Sequence, residues 1–265
     1  MENPRSILIT GASSGLGEAL ALVYAAPGVT LALSGRDRGR LDGVARACRA
    51  AGAAVSAEIL DVTGADVVAR WIEEMHAKAP LDLVIANAGI SGGTGGNGGA
   101  TGESDEQVRR IFAVNLDGVV NTVLPAAALM RTREPRDGVK GQIAIMSSLA
   151  SFRGIPGVPT YCASKAAVRI YGEALRGALA GDGIEVSVIC PGYVRTPMTA
   201  GNPYWMPFLM ERDRAARIMK RGLAKGRARI AFPLRLYALV WLLAALPPAL
   251  TDPLMRHGPK KPASG

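Results

Sequence analysis

The chain has 265 residues, of which 49% are hydrophobic and only 5% aromatic, so it can build one large α/β domain on Ala, Val, Leu and Ile. Its net charge of +9 would suit an anionic cofactor or a membrane surface. No aromatics interleave with the basic run at 211–229, so a nucleic-acid surface is not expected.

His76 and His257 are the only histidines, and neither has a second ligand at metal spacing. A histidine-based metal centre and a Ser-His-Asp site are therefore not expected. Cys48, Cys162 and Cys190 form no CxxC pair, which predicts reduced thiols and a cytoplasmic setting. No apolar stretch of signal-peptide length precedes the first strand-like run, so export is not expected.

In chain order, short apolar runs alternate with longer amphipathic ones. Residues 5–10 (RSILIT), 29–34, 54–60, 81–86, 142–147 and 184–189 read as buried strands, and 228–232 as a seventh at the edge. Helices are predicted over 15–26, 37–51, 64–78, 103–131 and 160–180. This alternation predicts βαβ units, hence a doubly wound parallel sheet of about seven strands with helices on both faces, in a single domain spanning 1–265. The Gly-rich stretch 89–104 reads as a flexible loop, and 132–141 as a polar surface connection.

The chemistry-bearing motifs fall at strand ends. TGASSGLG follows the first strand and contains Gly11, Ser13, Ser14, Gly15, Leu16 and Gly17. Such a loop lets backbone approach a pyrophosphate and aims a helix N-terminus at it. At the end of strand two, Gly35 stands where an acidic residue would bind the ribose 2′-hydroxyl of NAD, and Arg36 follows. That pattern favours NADP(H), although Asp37 remains within reach of a ribose. Asp61 and Val62 follow strand three, where a carboxylate can accept from an adenine amino group. Asn87, Ala88 and Gly89 follow strand four, at the rim where ligands bind in such sheets. Either of these last two motifs also fits plain turn chemistry.

Ser147 and Ser148 end strand five, and Tyr161 begins the next helix, one turn before Lys165. Reducing a carbonyl needs an acid for the developing alkoxide, and a free tyrosine, with a pKa of about 10, is poorly matched to neutral pH. A neighbouring ammonium favours the phenolate, so Lys165, together with the positive charge of oxidised nicotinamide, is expected to lower the pKa of Tyr161. Ser148 is expected to hold the substrate oxygen against the Tyr161 hydroxyl.

Together these motifs, with "VN" at 114–115 and "PGYVRTP" at 191–197, resemble the short-chain dehydrogenase/reductase family over roughly residues 5–200. The resemblance implies that Tyr161 is the acid/base, that Lys165 binds the nicotinamide ribose, that Ser148 orients substrate, and that Asn115 holds a relay water. It also implies that Pro191, Gly192, Val194 and Thr196 cradle the nicotinamide, and that the chain forms a homodimer or homotetramer. The expected reaction interconverts a ketone or aldehyde and an alcohol with NADP(H). A non-catalytic dinucleotide-binding scaffold is the competing reading, and the intact Asn115, Ser148, Tyr161 and Lys165 argue against it.

Residues 198–223 are expected to form a substrate lid. Its apolar cluster around Tyr204, Trp205, Met206 and Phe208 suggests a bulky apolar substrate. Residues 233–265 form an extension whose stretch 236–250 carries no charge. This is shorter than the about 20 residues a spanning helix needs, and Pro247-Pro248 interrupts it. Three readings stay open for this apolar helix: packing on protein, walling an apolar pocket, or peripheral contact with the inner membrane face as a lipid ketoreductase.

Overall fold

The computed structural model describes residues 1, 3–95, 102–136, 138–256 and 261. Residues 96–101 of the Gly-rich stretch, Asp137 and the rest of the C-terminal tail, His257 included, lie outside the described residues.

The elements follow the expected alternation. β1 (Ser6–Ile9), α1 (Gly15–Tyr24), β2 (Thr30–Gly35), α2 (Arg38–Ala50), β3 (Ala54–Ile59), α3 (Ala65–Lys78) and β4 (Leu83–Ala86) make the first half. α4 (Asp105–Phe112), α5 (Gly118–Arg131), β5 (Gly141–Met146), α6 (Pro159–Ala178) and β6 (Ile184–Pro191) follow. α7 (Pro197–Ala200), α8 (Arg212–Ala224), β7 (Arg229–Phe232), α9 (Leu234–Ala245) and α10 (Pro248–Arg256) complete the chain.

The seven strands pair in the order β3-β2-β1-β4-β5-β6-β7, and every pairing is parallel. Side-chain alternation sorts the core into two layers. Ile7 and Ile9 face α1, α2 and α8 with Leu20, Leu41 and Met219, whereas Leu8 faces the α3, α5 and α6 layer with Ile72, Val123 and Val168. Both faces of the sheet are thus covered, which is why its strands read as unbroken apolar runs. The chain reverses its winding between β1 and β4, and this switch point opens a crevice at the carboxyl ends of the strands.

The long helix expected over 103–131 forms as α4 and α5 joined by a π turn at Ala113–Asp117. It is long and apolar enough to cross a membrane, but it lies on the sheet with Val119, Val123 and Ala126 buried.

The apolar stretch 236–250 is not one helix. Leu246 is extended and a second helix starts at Pro248, because a proline has no N–H to continue α9 but fits the first turn of a new helix. α9 buries Leu236, and packs Tyr237 and Val240 beside Leu149, Val188 and Cys190. Leu239, Trp241 and Leu242 on the same helix are more than half exposed.

Candidate active site

A cleft of about 620 Å³ opens at the switch point. Its first wall is the turn after β1. Thr10 Oγ1 accepts hydrogen bonds from the backbone N–H groups of Asn87 and Ala88, both at 3.1 Å. Asn87 Nδ2 returns bonds to the carbonyls of Thr10 (2.9 Å) and Gly11 (3.1 Å). These four bonds tie the end of β4 to the glycine turn. Gly11 has φ +66°, and a Cβ there would stand 2.8 Å from Ala88 Cα, so only glycine fits.

Gly11, Ser13, Ser14, Gly15 and Leu16 all line the cleft. Gly17 does not; a Cβ there would meet Gly11 O at 2.2 Å, so its role is to seat α1 against the turn. Ser14, the N-cap of α1, makes no side-chain cap bond, which leaves the helix's first-turn N–H groups to an anionic ligand. A narrow glycine turn ahead of an uncapped helix N-terminus fits the pyrophosphate of a dinucleotide.

The second wall follows β2 and β3. Arg36 lines the cleft, joined by Asp37 and by Arg40, a residue that sequence reasoning missed. Its signal was its place on the first turn of α2, four residues after Arg36. Asp37 caps α2: its Oδ1 accepts from Arg40 N at 2.9 Å and its Oδ2 from Arg40 Nε at 2.7 Å. Those bonds hold the exposed Asp37 carboxyl below its ordinary pKa. Asp61 and Val62 line the same wall. Desolvation works to raise the Asp61 carboxyl, but bonds from Thr63 N and Oγ1, both at 2.9 Å, outweigh it together with the Arg36 and Arg110 charges.

The inner end carries the reactive groups. Asn87, Ala88 and Gly89 line it together with Ser148, Tyr161 and Lys165, and a Cβ at Gly89 would stand 3.2 Å from Lys165 Nζ. Ser148 Oγ accepts from Ala150 N at 3.1 Å and donates to Pro191 O at 3.5 Å. Lys165 is 3% exposed, its Nζ donates to Met146 O at 2.9 Å, and its own carbonyl accepts from Ser147 Oγ at 2.8 Å. Lys165 Nζ stands 5.9 Å from the centroid of the Tyr161 ring.

The electrostatics differ from expectation. Burial pushes the Tyr161 phenol up to about 12, and the neighbouring Ser148 hydroxyl draws it only partly back. Burial also pulls Lys165 down to about 8. Desolvation leads at both groups, and Lys165 is not among the causes that act on Tyr161; the expected depression also counts on the positive charge of oxidised nicotinamide.

Asn115 sits in the π turn, fully buried behind the cleft wall. Its Oδ1 accepts from Ile90 N at 2.8 Å, and its Nδ2 donates to Ile90 O at 2.9 Å and to Ser164 Oγ at 3.0 Å. It joins the segment after β4 to α6. Sequence reasoning missed Ile90, whose position one residue past "NAG" was the available signal.

Pro191, Gly192, Val194 and Thr196 close the cleft from β6. Gly192 N bonds Phe232 O at 2.7 Å, and Thr196 starts α7 through a reciprocal cap with Thr199. Beyond them Tyr204 packs edge-on to Tyr193 at 6.4 Å, while Trp205 is 84% exposed.

The chain is similar to known proteins over most of its length. Residues 5–206 match the family model for short chain dehydrogenases. An uncharacterized oxidoreductase of Myxococcus xanthus is 39% identical over 254 residues, covering 96% of this chain and 97% of that protein. A short-chain dehydrogenase from Sphingobium yanoikuyae, solved in complex with NADPH, superposes with TM-score 0.77 at 27% identity and covers 98% of each chain. A short chain dehydrogenase/reductase from Burkholderia phymatum, in complex with NAD, shares the fold with TM-score 0.81 at 24% identity over 100% of this chain and 99% of its own.

Proposed function

The chain belongs to the short-chain dehydrogenase/reductase family and is an NAD(P)-binding oxidoreductase, and from that premise we propose that it interconverts a ketone or aldehyde and an alcohol, with NADP(H) preferred over NAD(H). The observation that carries this reading is the convergence of Ser148, Tyr161 and Lys165 on the cleft that the glycine turn opens.

Bound NADPH supplies the hydride. The chain's own residues do the rest. Ser148 Oγ and Tyr161 Oη hydrogen-bond the substrate oxygen and fix the carbonyl. As charge develops on that oxygen, Tyr161 gives it the phenolic proton. The Lys165 ammonium stabilises the phenolate left behind. Burial keeps the Tyr161 phenol protonated, as a proton donor in reduction must be, and the phenolate left behind would take the proton back in the reverse reaction. Asn115 holds the segment from Ile90 in place beside this group.

Arg36 and Arg40 would bind the 2′-phosphate; Gly35 puts no carboxylate at the end of β2, and the Asp37 carboxylate beside it is paired with Arg40. Met198, which lines the cleft, and the exposed Trp205 and Phe208 that follow it in the chain favour a bulky apolar substrate. The protein acts in the cytoplasm as a homodimer or homotetramer in this reading, in keeping with its three unpaired cysteines.

A second reading concerns place. α9 and the start of α10 expose Leu234, Leu239, Trp241, Leu242 and Leu250 with Arg235 among them, as an interfacial helix does. That favours peripheral membrane contact and a lipid-like ketone.

Tyr161→Phe tests the chemistry. It should lower turnover at least about a thousandfold while NADPH binding stays within about twofold. Full activity in that variant would remove the assignment.

A further inference from the structure

The helix that carries Tyr161 and Lys165 begins without a cap of its own. Its N-cap residue is Val158, which has no side-chain acceptor, and Pro159 follows. A helix start with free N–H groups needs an acceptor from elsewhere. The structure supplies one from more than fifty residues away. Glu103, just ahead of α4 and 3% exposed, turns its carboxylate onto the first turn of α6. Its Oε2 accepts from Thr160 N at 3.2 Å and from Thr160 Oγ1 at 2.5 Å.

The other carboxylate oxygen is also engaged. Gln107 Nε2, one turn into α4, donates to Glu103 Oε1 at 3.1 Å and to Gly93 O at 3.3 Å. Among the described residues three donors and no acceptor meet this carboxylate, as suits an ionised group that can only accept. Its charge complements the positive end of the α6 dipole. Through Gln107 it also joins the segment after β4 to the catalytic helix. Thr160 immediately precedes Tyr161, so whatever fixes Thr160 fixes the first turn on which the phenol is mounted. Position 92 shows how closely the parts fit, since a Cβ there would lie 2.5 Å from the Gln107 side chain.

We propose that Glu103 is a positioning residue for the reaction: with Thr160 as its partner, it caps the catalytic helix from outside and sets the direction in which Tyr161 faces the substrate oxygen. The inference rests on the reading of Tyr161 as the proton donor. Glu103 does not touch the cleft; it acts through the backbone and hydroxyl of Thr160.

The chemistry dictates the test. An amide at 103 keeps one oxygen and places an NH2 group against a donor, so Glu103→Gln breaks the cap while preserving volume. Thr160→Val removes the hydroxyl and keeps the shape; Thr160→Ser keeps the hydroxyl. NADPH affinity is measured by fluorescence, and turnover with benzil, an apolar aromatic diketone. Amide hydrogen exchange over 158–165 provides a readout that needs no substrate.

The expected result is that Glu103→Gln and Thr160→Val each lower kcat by about tenfold to a hundredfold. NADPH affinity and KM stay within about twofold, and exchange quickens over 158–165 alone. Thr160→Ser restores kcat, and the double variant is no worse than the poorer single one. Unchanged exchange over 158–165 in both Glu103→Gln and Thr160→Val overturns the proposal, as does unchanged kcat. Losses in kcat and NADPH affinity of equal size overturn it too, since they would mark a general structural defect. Should Glu103→Gln not fold, Thr160→Val decides alone. Tyr161→Phe is run beside them: if it is active, the reading of the chemistry falls; if it is inactive while Glu103→Gln and Thr160→Val are normal, only this inference falls.

Discussion

Gly35 at the end of β2 and Ser13 in the glycine turn lie so close that a Cβ at position 35 would stand 2.8 Å from Ser13 Cβ and 2.9 Å from its hydroxyl. The turn that would cradle the pyrophosphate therefore forbids any side chain where an NAD-specific carboxylate would stand. Gly35→Asp alone should not create an NADH enzyme. Overpacking costs about 1–3 kcal/mol, so the variant should melt earlier and bind both cofactors weakly. The double variant with Ser13→Gly should recover stability and gain NADH affinity. Tight NADH binding by Gly35→Asp alone would show that the turn yields.

Lys165 is a buried cation, so its presence opposes stability. Burial brings it to about 8, against 10.5 when free. As pH rises between these values the folded protein sheds this proton first, and stability rises with pH. Holding the charge at neutral pH costs about 3 kcal/mol. Lys165→Met should abolish turnover and leave the protein at least as stable at pH 7. The stability gain of the wild type between about pH 8 and pH 10 should vanish in the variant, as read by chemical denaturation. A variant that is markedly less stable at pH 7 would contradict the desolvation argument.

Asn115 satisfies both backbone groups of Ile90 from a fully buried position. Asn115→Ala leaves those groups and Ser164 without this partner, at a cost of about 3 kcal/mol. The variant should unfold at lower denaturant and bind NADPH more weakly, since Ile90 and Gly89 line the cleft. Wild-type stability together with wild-type affinity would place the hold on this segment elsewhere.

The exposed side of α9 is tested with vesicles. The wild type should partition onto anionic vesicles, and Trp241→Glu with Leu242→Glu should remove that binding while turnover of a water-soluble ketone stays unchanged. Both side chains are more than half exposed, so the fold should tolerate the change. No partitioning of the wild type would dismiss membrane contact.

The seven strands were legible because a sheet covered on both faces writes each strand as a continuous apolar run between turn residues. The glycine turn and the Tyr161–Lys165 pair were legible because their spacing along the chain matches their spacing in the fold, and Asn87 because it directly follows a strand at the rim where such sheets bind ligands. Glu103 carried no such signal, since its partner Thr160 is distant in sequence and near only through packing. The π turn at Asn115 sits inside an ordinary helical pattern. The direction of the Tyr161 shift depends on desolvation, which no local spacing reports. Arg40 was missed because a basic residue in the first turn of a helix reads as a solvated face.

The central claim is that this cleft takes a phosphorylated dinucleotide, and parallel titration of NADPH and NADH by intrinsic fluorescence tests it most directly, on the wild type and on Arg36→Ala. NADPH should bind at least about tenfold more tightly than NADH, and Arg36→Ala should erase most of that difference by weakening NADPH alone. Equal or tighter binding of NADH, or an equal effect of Arg36→Ala on both, would contradict the assignment.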